Sequence, residues 1–312
     1  MACWPLAIAL GVLMGPLAPT DEVDATKLAR QAAQAWAQYI ESEPESMSVK
    51  VMAEVSDRTG AITNRSEYAW KYCGRLNYVG YRVRLFKPGA ATPYAGEEHQ
   101  TCTNSKYSCQ LESRSIGQPL IITDITMNTD GANIAKIDKD RRLPKGFQHC
   151  SVFWLPLSYN MSLRDIFRDS SFIPIRSEKI SGDTEEVLLE FAYKDRGYGH
   201  CKAKLWLVPS MYWLPVRYEY KVHSSWNKHV EGANAYKVMP GGIVVCVQRQ
   251  FVYDVAKETG IIERYVERQK FETVIHSERL PEAEFTLTAL GFPEPFGIEW
   301  ERPIPWGLYV IG

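Results

Sequence analysis

The chain is 312 residues long, enough for one large all-β unit or two smaller domains, and its 45% hydrophobic and 23% charged composition describes a folding sequence, not a disordered one. Its 36 Lys and Arg are balanced by 37 Asp and Glu. That balance removes the basic field that draws in nucleic acid, and no nucleic-acid partner is expected.

From Met1 to Pro19 the chain carries the apolar run WPLAIALGVLM (Trp4 to Met14), then small residues and prolines. The run has the length of a signal-peptide core and is too short to cross a bilayer as a helix. Residues 1–20 are therefore read as a signal segment, and the protein as exported, periplasmic or held in the cell envelope. No Lys or Arg precedes the run, and Cys3 lies ahead of it, the wrong side for a lipoprotein cleavage site. A buried N-terminal segment is the alternative.

Asp24 to Ile40 is rich in Ala and Gln, with Leu28, Ala32, Ala35, Trp36 and Tyr39 at helical spacing and an acidic start suited to the helix dipole; Pro44 closes it. From Ser48 the period changes to two. Val49, Val51, Ala53 and Val55 alternate with Lys50, Met52 and Glu54 up to the turn Asp57 to Gly60, which defines a half-buried strand. Ser66 to Phe86 carries a second strand and room for a third. Lys87 to Asn133 alternates weakly, although Leu120 to Ile125 reads as a strand. A short helix is expected over Ser162 to Arg168, with Ser162 as cap and Asp165 three positions on.

Val187 to Tyr193, Cys201 to Leu207 and Val216 to Val222 alternate clearly and read as adjacent antiparallel strands, the last two joined through Pro209 to Pro215. His223 and His229 are read as flanking Trp226 in a polar loop. Ile243 to Ala256 and Ile261 to Ile275 form a further hairpin around Lys257 to Gly260; Arg264 to Arg268 also fits a helix, but its context favours a strand. The closing stretch, Trp300 to Gly312, is rich in aromatics and proline. It reads either as the approach to a membrane anchor or as an irregular tail packing its tryptophans on the domain. The fold class expected is mainly β (α+β): a curved antiparallel sheet forming an incomplete barrel, with an N-terminal helix and a short mid-chain helix.

Apart from Cys3 there are six cysteines, Cys73, Cys102, Cys109, Cys150, Cys201 and Cys246, an even number that suits disulfides in an oxidising compartment. Cys102 and Cys109 flank the polar stretch Thr103 to Ser108 and are the disulfide candidates. No Cys-x-x-Cys occurs, and the six histidines show no His-x-x-x-His or His-Glu-x-x-His spacing, so no metal site is assigned. His149-Cys150 and His200-Cys201 are adjacent pairs, but ordinary placement outweighs a thiol-base role. Nucleophile elbows and phosphate loops are missing too, and Glu97-Glu98, Glu185-Glu186 and Glu282/Glu284 are poorly disposed for acid–base work. No catalytic residue and no cofactor is expected. The 17 Tyr and 9 Trp are the better hint, since aromatic sheet faces bind sugars or acyl chains, although large β cores consume aromatics as well.

Two stretches carry a family resemblance. Lys204 to Pro209 followed by Tyr212 to Arg217 (YWLPVR) resembles the strand, proline turn and Leu-Pro step of the LolA- and LolB-like lipoprotein carriers, and Phe271 to Phe285 resembles their closing strand, Leu-Pro step and terminal Phe. The likeness spans roughly residues 25–290 and is nearest to the large LolA-related proteins of planctomycete-type bacteria. It implies a half-barrel domain over 21–290, lidded by helices, enclosing an apolar cavity that receives acyl chains. The chain departs from the pattern by an insertion around 87–160 and by a Pro- and aromatic-rich tail over 291–312. The implied function is a non-enzymatic binding protein for a lipid, an acyl chain or another apolar group. Its partners would be a lipid or lipidated protein and an envelope protein, with membrane association open. A ligand-free sensor or scaffold domain in an envelope complex is the second reading and a hydrolase the third. The expected lining is one face of the clearest strands: Val49, Val51, Val187, Leu189, Phe191, Leu205, Leu207, Tyr218 and Tyr220.

Overall fold

The computed structural model describes residues 24–42, 44–128, 162–180, 185–195, 199–223, 228–256 and 262–298. The expected signal segment, Cys150, Trp226 and the chain beyond 298 lie outside them. The helix read from Asp24 is α1, Ala25–Glu41. The Asp24 side chain caps it by accepting from the backbone amides of Thr26 and Lys27, and it buries Leu28, Ala29, Ala32, Trp36 and Tyr39 along one stripe. The mid-chain helix α2 spans Leu163–Arg168. The Ser162 hydroxyl and the Asp165 carboxylate cap each other's backbone there, as the spacing predicts.

All strands among the described residues belong to one antiparallel sheet. They are β1 (Ser46–Asp57), β2 (Ile62–Cys73), β3 (Leu76–Leu85), β4 (Ala95–Thr103), β5 (Tyr107–Ser113), β6 (Ile121–Met127), β7 (Ile173–Ile180), β8 (Glu186–Asp195), β9 (Gly199–Val208), β10 (Leu214–His223), β11 (Lys228–Val238), β12 (Val244–Ala256) and β13 (Ile262–Ile275). Their order is β6-β5-β4-β3-β2-β1-β13-β12-β11-β10-β9-β8-β7. The chain therefore starts in the middle of the sheet, meanders out to the β6 edge, resumes at the opposite β7 edge and meanders back until β13 pairs with β1. The sheet is open, because β6 and β7 are not paired with each other. It is also curved: one face, from β1 and β2 round to β8, converges on a single apolar cluster with α1 and α2.

The sequence reading needs correction at β11. Lys228–Val238 is a strand, so His229 stands in the sheet and not in a loop. Strands β4 and β5 also occupy the weakly alternating region, and residues 95–127 of the expected insertion extend the same sheet. The Arg264 to Arg268 stretch is strand. Past the Leu-Pro step, Phe292 and Ile298 pack with Leu287, Leu111 and the Cys102–Cys109 pair in a second, smaller cluster, so the body of the fold runs beyond residue 290.

Candidate functional site

Residues directly opposite each other on neighbouring strands point to the same side, so register assigns every side chain to a face. The nine expected lining residues share the inner, concave face. Val49 and Val51 come from β1, Val187, Leu189 and Phe191 from β8, Leu205 and Leu207 from β9, and Tyr218 and Tyr220 from β10. All nine are buried, at 0–3% exposure. The helices cover this half. Trp36 packs on Phe167 at 4.9 Å and donates its indole N–H to the Trp213 carbonyl at 2.8 Å, and the Tyr39 hydroxyl donates to the Val244 carbonyl. Tyr212 and Trp213, in the turn after β9, both adopt the left-handed region (φ 55° and 58°), a conformation that costs non-glycine residues about 1–2 kcal/mol each. That turn sets the Tyr212 ring against Tyr39 and aims the Trp213 carbonyl at Trp36.

The inner face continues past the helices across β12, β13, β1, β2, β3 and β4, where its character changes. Tyr68, Tyr81 and His99 stand side by side on three neighbouring strands, Tyr81 stacked on His99 at 4.7 Å and on Tyr68 at 6.2 Å. Tyr253 and Tyr265 stack at 5.3 Å, with Phe251 at 5.9 Å from Tyr253. Tyr68 is 36% exposed, whereas Phe251 is buried. The result is an aromatic trough beside the helix-covered half.

Glu267 stands between these stacks in the cross-strand row Val55, Glu267, Phe251, Gly232 and Tyr218. Burial pushes its carboxyl above the ordinary range, opposed by the hydrogen bond from Gln269 (2.6 Å) and by the Arg249 charge. Buried Arg249 is held by Asn234, which accepts from its Nε at 3.0 Å and donates in turn to the Pro215 carbonyl at 2.7 Å. The Tyr218 ring lies across Gly232. A Cβ there would fall 2.3 Å from the ring, which is why a glycine occupies the middle of β11. The Tyr218 hydroxyl is pushed up by burial and has no hydrogen-bond partner among the described residues. Glu267 and Gln269 were not legible as site residues, because the stretch from Glu263 to Lys270 carries charged or polar residues on both faces, and Arg249 on β12 meets them only through cross-strand register.

The remaining candidates resolve simply. Cys102 and Cys109 face each other across β4 and β5 and form a disulfide, with Cα atoms 5.4 Å apart. Cys73, Cys201 and Cys246 are buried; burial pushes the Cys246 thiol up to about 11, which suppresses thiolate chemistry. His200 is exposed on the outer face while Cys201 is buried on the inner one, so this pair does not converge. Glu97 meets Tyr81 and His99 on the inner face, whereas Glu98 binds Arg82 on the outer one, so these carboxylates point apart. Glu219, His229 and Glu231 gather on the outer face, yet Glu219 is already shared by Lys204 and Lys221. No helix among the described residues is long and apolar enough to cross a membrane.

No family model and no curated protein matches the chain. Among solved structures it is similar to a kievitone hydratase from Nectria haematococca at 6% identity, with 75% of this chain and 92% of that chain covered and a TM-score of 0.20. A likeness at that level carries no argument about fold or activity.

Proposed function

We propose that this chain is an exported, non-enzymatic binding protein that seats an apolar group, an acyl chain or another lipid, on the open half of its inner face, in the manner of the LolA-like carriers it resembles. The observation that carries the proposal is that the row Tyr68, Tyr81 and His99 and the Tyr253–Tyr265 stack lie on the same concave face, next to a half filled by α1. Half-exposed aromatic surface inside a curved sheet is a surface that gains by being covered. The nine buried aliphatic and aromatic residues under α1 then serve as packed support for the seat. The disulfide supports an oxidising compartment and hence the exported reading. Titration with N-phenyl-1-naphthylamine, whose emission rises in apolar surroundings, is expected to show saturable uptake by the full chain, weakened at least about tenfold by Tyr68→Asp with unchanged melting. A chain that takes up no probe, or takes it up equally well after the substitution, contradicts the proposal.

A second reading, a scaffold domain working without a ligand, is favoured by the two edges of the sheet, β6 and β7, which pair with no further strand among the described residues. Ile121, Ile122, Ile125 and Met127 are exposed on β6, and Ile173 and Ile175 on β7. Such edges are templates for strand addition by a partner.

A further inference from the structure

We propose that the outer face of the sheet carries a phosphate-recognising groove through which the protein docks on an anionic lipid surface. The groove has a volume of 560 Å³ and lies over the middle strands β1, β2, β3, β12 and β13. Five cations line it, Arg65, Arg82, Arg84, Arg268 and Lys270, against two carboxylates, Glu54 and Glu67. The whole chain has a formal net charge of −1, so this excess is a local concentration and not a reflection of composition.

Register shows how the cations are arranged. Arg84, Arg65, Glu54 and Arg268 form one cross-strand row on β3, β2, β1 and β13. At about 4.8 Å per strand the row runs roughly 14 Å, room for more than one phosphoryl group. Glu54 is taken by Arg65 at 2.8 Å, in the neighbouring row Arg82 is turned to Glu98 at 2.7 Å, and Lys270 lies 3.7 Å from Glu272, which leaves Arg84 and Arg268 as the open cations of the groove. Arg84 and Arg268 are exposed and make no ion pair among the described residues. Arg84 faces Arg65 directly; Arg65 is already engaged by Glu54 and by the Phe86 ring 5.4 Å away, so Arg84 is the member of the pair whose charge an added anion would offset.

The chemistry of the row selects the ligand. Planar guanidinium forks match phosphate oxygens in pairs, which point-charge lysines do not. Met52, 37% exposed, stands in the next row on β1 and offers an apolar contact beside the charges, as a lipid interface would use and free phosphate would not. Basic clusters of this kind gain from the surface potential of anionic bilayers. The groove is on the opposite face from the aromatic trough, so docking leaves the proposed seat unobstructed.

The test is sedimentation of the full chain with vesicles of phosphatidylcholine alone and of phosphatidylcholine with phosphatidylglycerol. Binding is expected to the anionic vesicles only, to fall with added salt, and to weaken at least about tenfold in Arg84→Glu/Arg268→Glu with melting unchanged. Lys202→Glu/Lys237→Glu makes the same change of net charge at exposed positions outside the groove and is expected to bind like the parent. Equal binding to both vesicles, equal loss in both double variants, or binding of inorganic pyrophosphate without any sedimentation overturns the proposal. None of these outcomes bears on uptake of the apolar probe by the inner face.

Discussion

Glu267 is the residue whose surroundings oppose its charge most plainly. Tyr68 from β2, Tyr218 from β10, Arg249 and Tyr253 from β12, and Gln269 and Tyr265 from its own strand share its part of the inner face. The same burial lifts Tyr253 to about 12, so the pocket disfavours negative charge on any of its acids. Because the folded state raises the Glu267 value above the unfolded 4.5, its proton is held more tightly in the fold than in the open chain. The corresponding stability is present in full below the unfolded value and is lost as pH rises through the folded one. Glu267→Gln, which stays neutral, is therefore expected to gain stability relative to the parent on going from pH 4 to pH 7. Paired thermal melts at the two pH values check it. The hydrogen-bonded carboxylates Asp57, Glu98 and Asp254, held low by their partners, lose stability on acidification in both proteins and cancel in the comparison. A difference between the two proteins that does not change with pH contradicts the assignment.

At the level of elements, α1 is fixed to the sheet by a few large side chains. Trp36 is fully buried, packed against the tilted Phe167 ring and hydrogen-bonded to the turn after β9. Trp36→Ala is expected to cost about 3–5 kcal/mol in urea denaturation, most of it from the cavity left between helix and sheet. A loss below about 1 kcal/mol would mean that the helix is a loose cover and not part of the core. This helix was legible because its apolar stripe has the helical period, and β1, β8, β9 and β10 were legible because one face is dry and the other wet. Strand β4 (AGEEHQTCT) was not, since its inner face carries Glu97, His99 and Thr101 and its outer face Glu98 and Gln100, leaving no apolar alternation to read. Strand β11 (KHVEGANAYKV) hid for a related reason: Gly232 is there for the Tyr218 ring and Asn234 for Arg249, so two inward positions read as turn residues. The aromatic trough escaped for the same cause, because its members are scattered over five strands and meet only through register.

Across the whole molecule, apolar packing is divided unequally. The large cluster joins α1 and α2 to β1, β2 and the β8–β13 half, whereas β4, β5 and the Cys102–Cys109 pair rest on a small cluster closed by the segment after β13. That closure hangs on Leu287. Its side chain is fully buried and its backbone N–H donates to the Tyr107 hydroxyl at 2.7 Å, while the same hydroxyl donates to Glu294 at 2.6 Å. With few apolar contacts outside this cluster, the β4–β6 end belongs among the low-stability parts of the fold, able to open while the helix-covered half stays closed. Leu287→Ala is expected to cost about 2–5 kcal/mol locally. Hydrogen exchange should then show protection falling across β4, β5 and β6, with the amides of β8 to β12 unchanged. Equal loss of protection at both ends would mean that the thirteen strands open as a single cooperative unit, and that the small cluster is an extension of the large one.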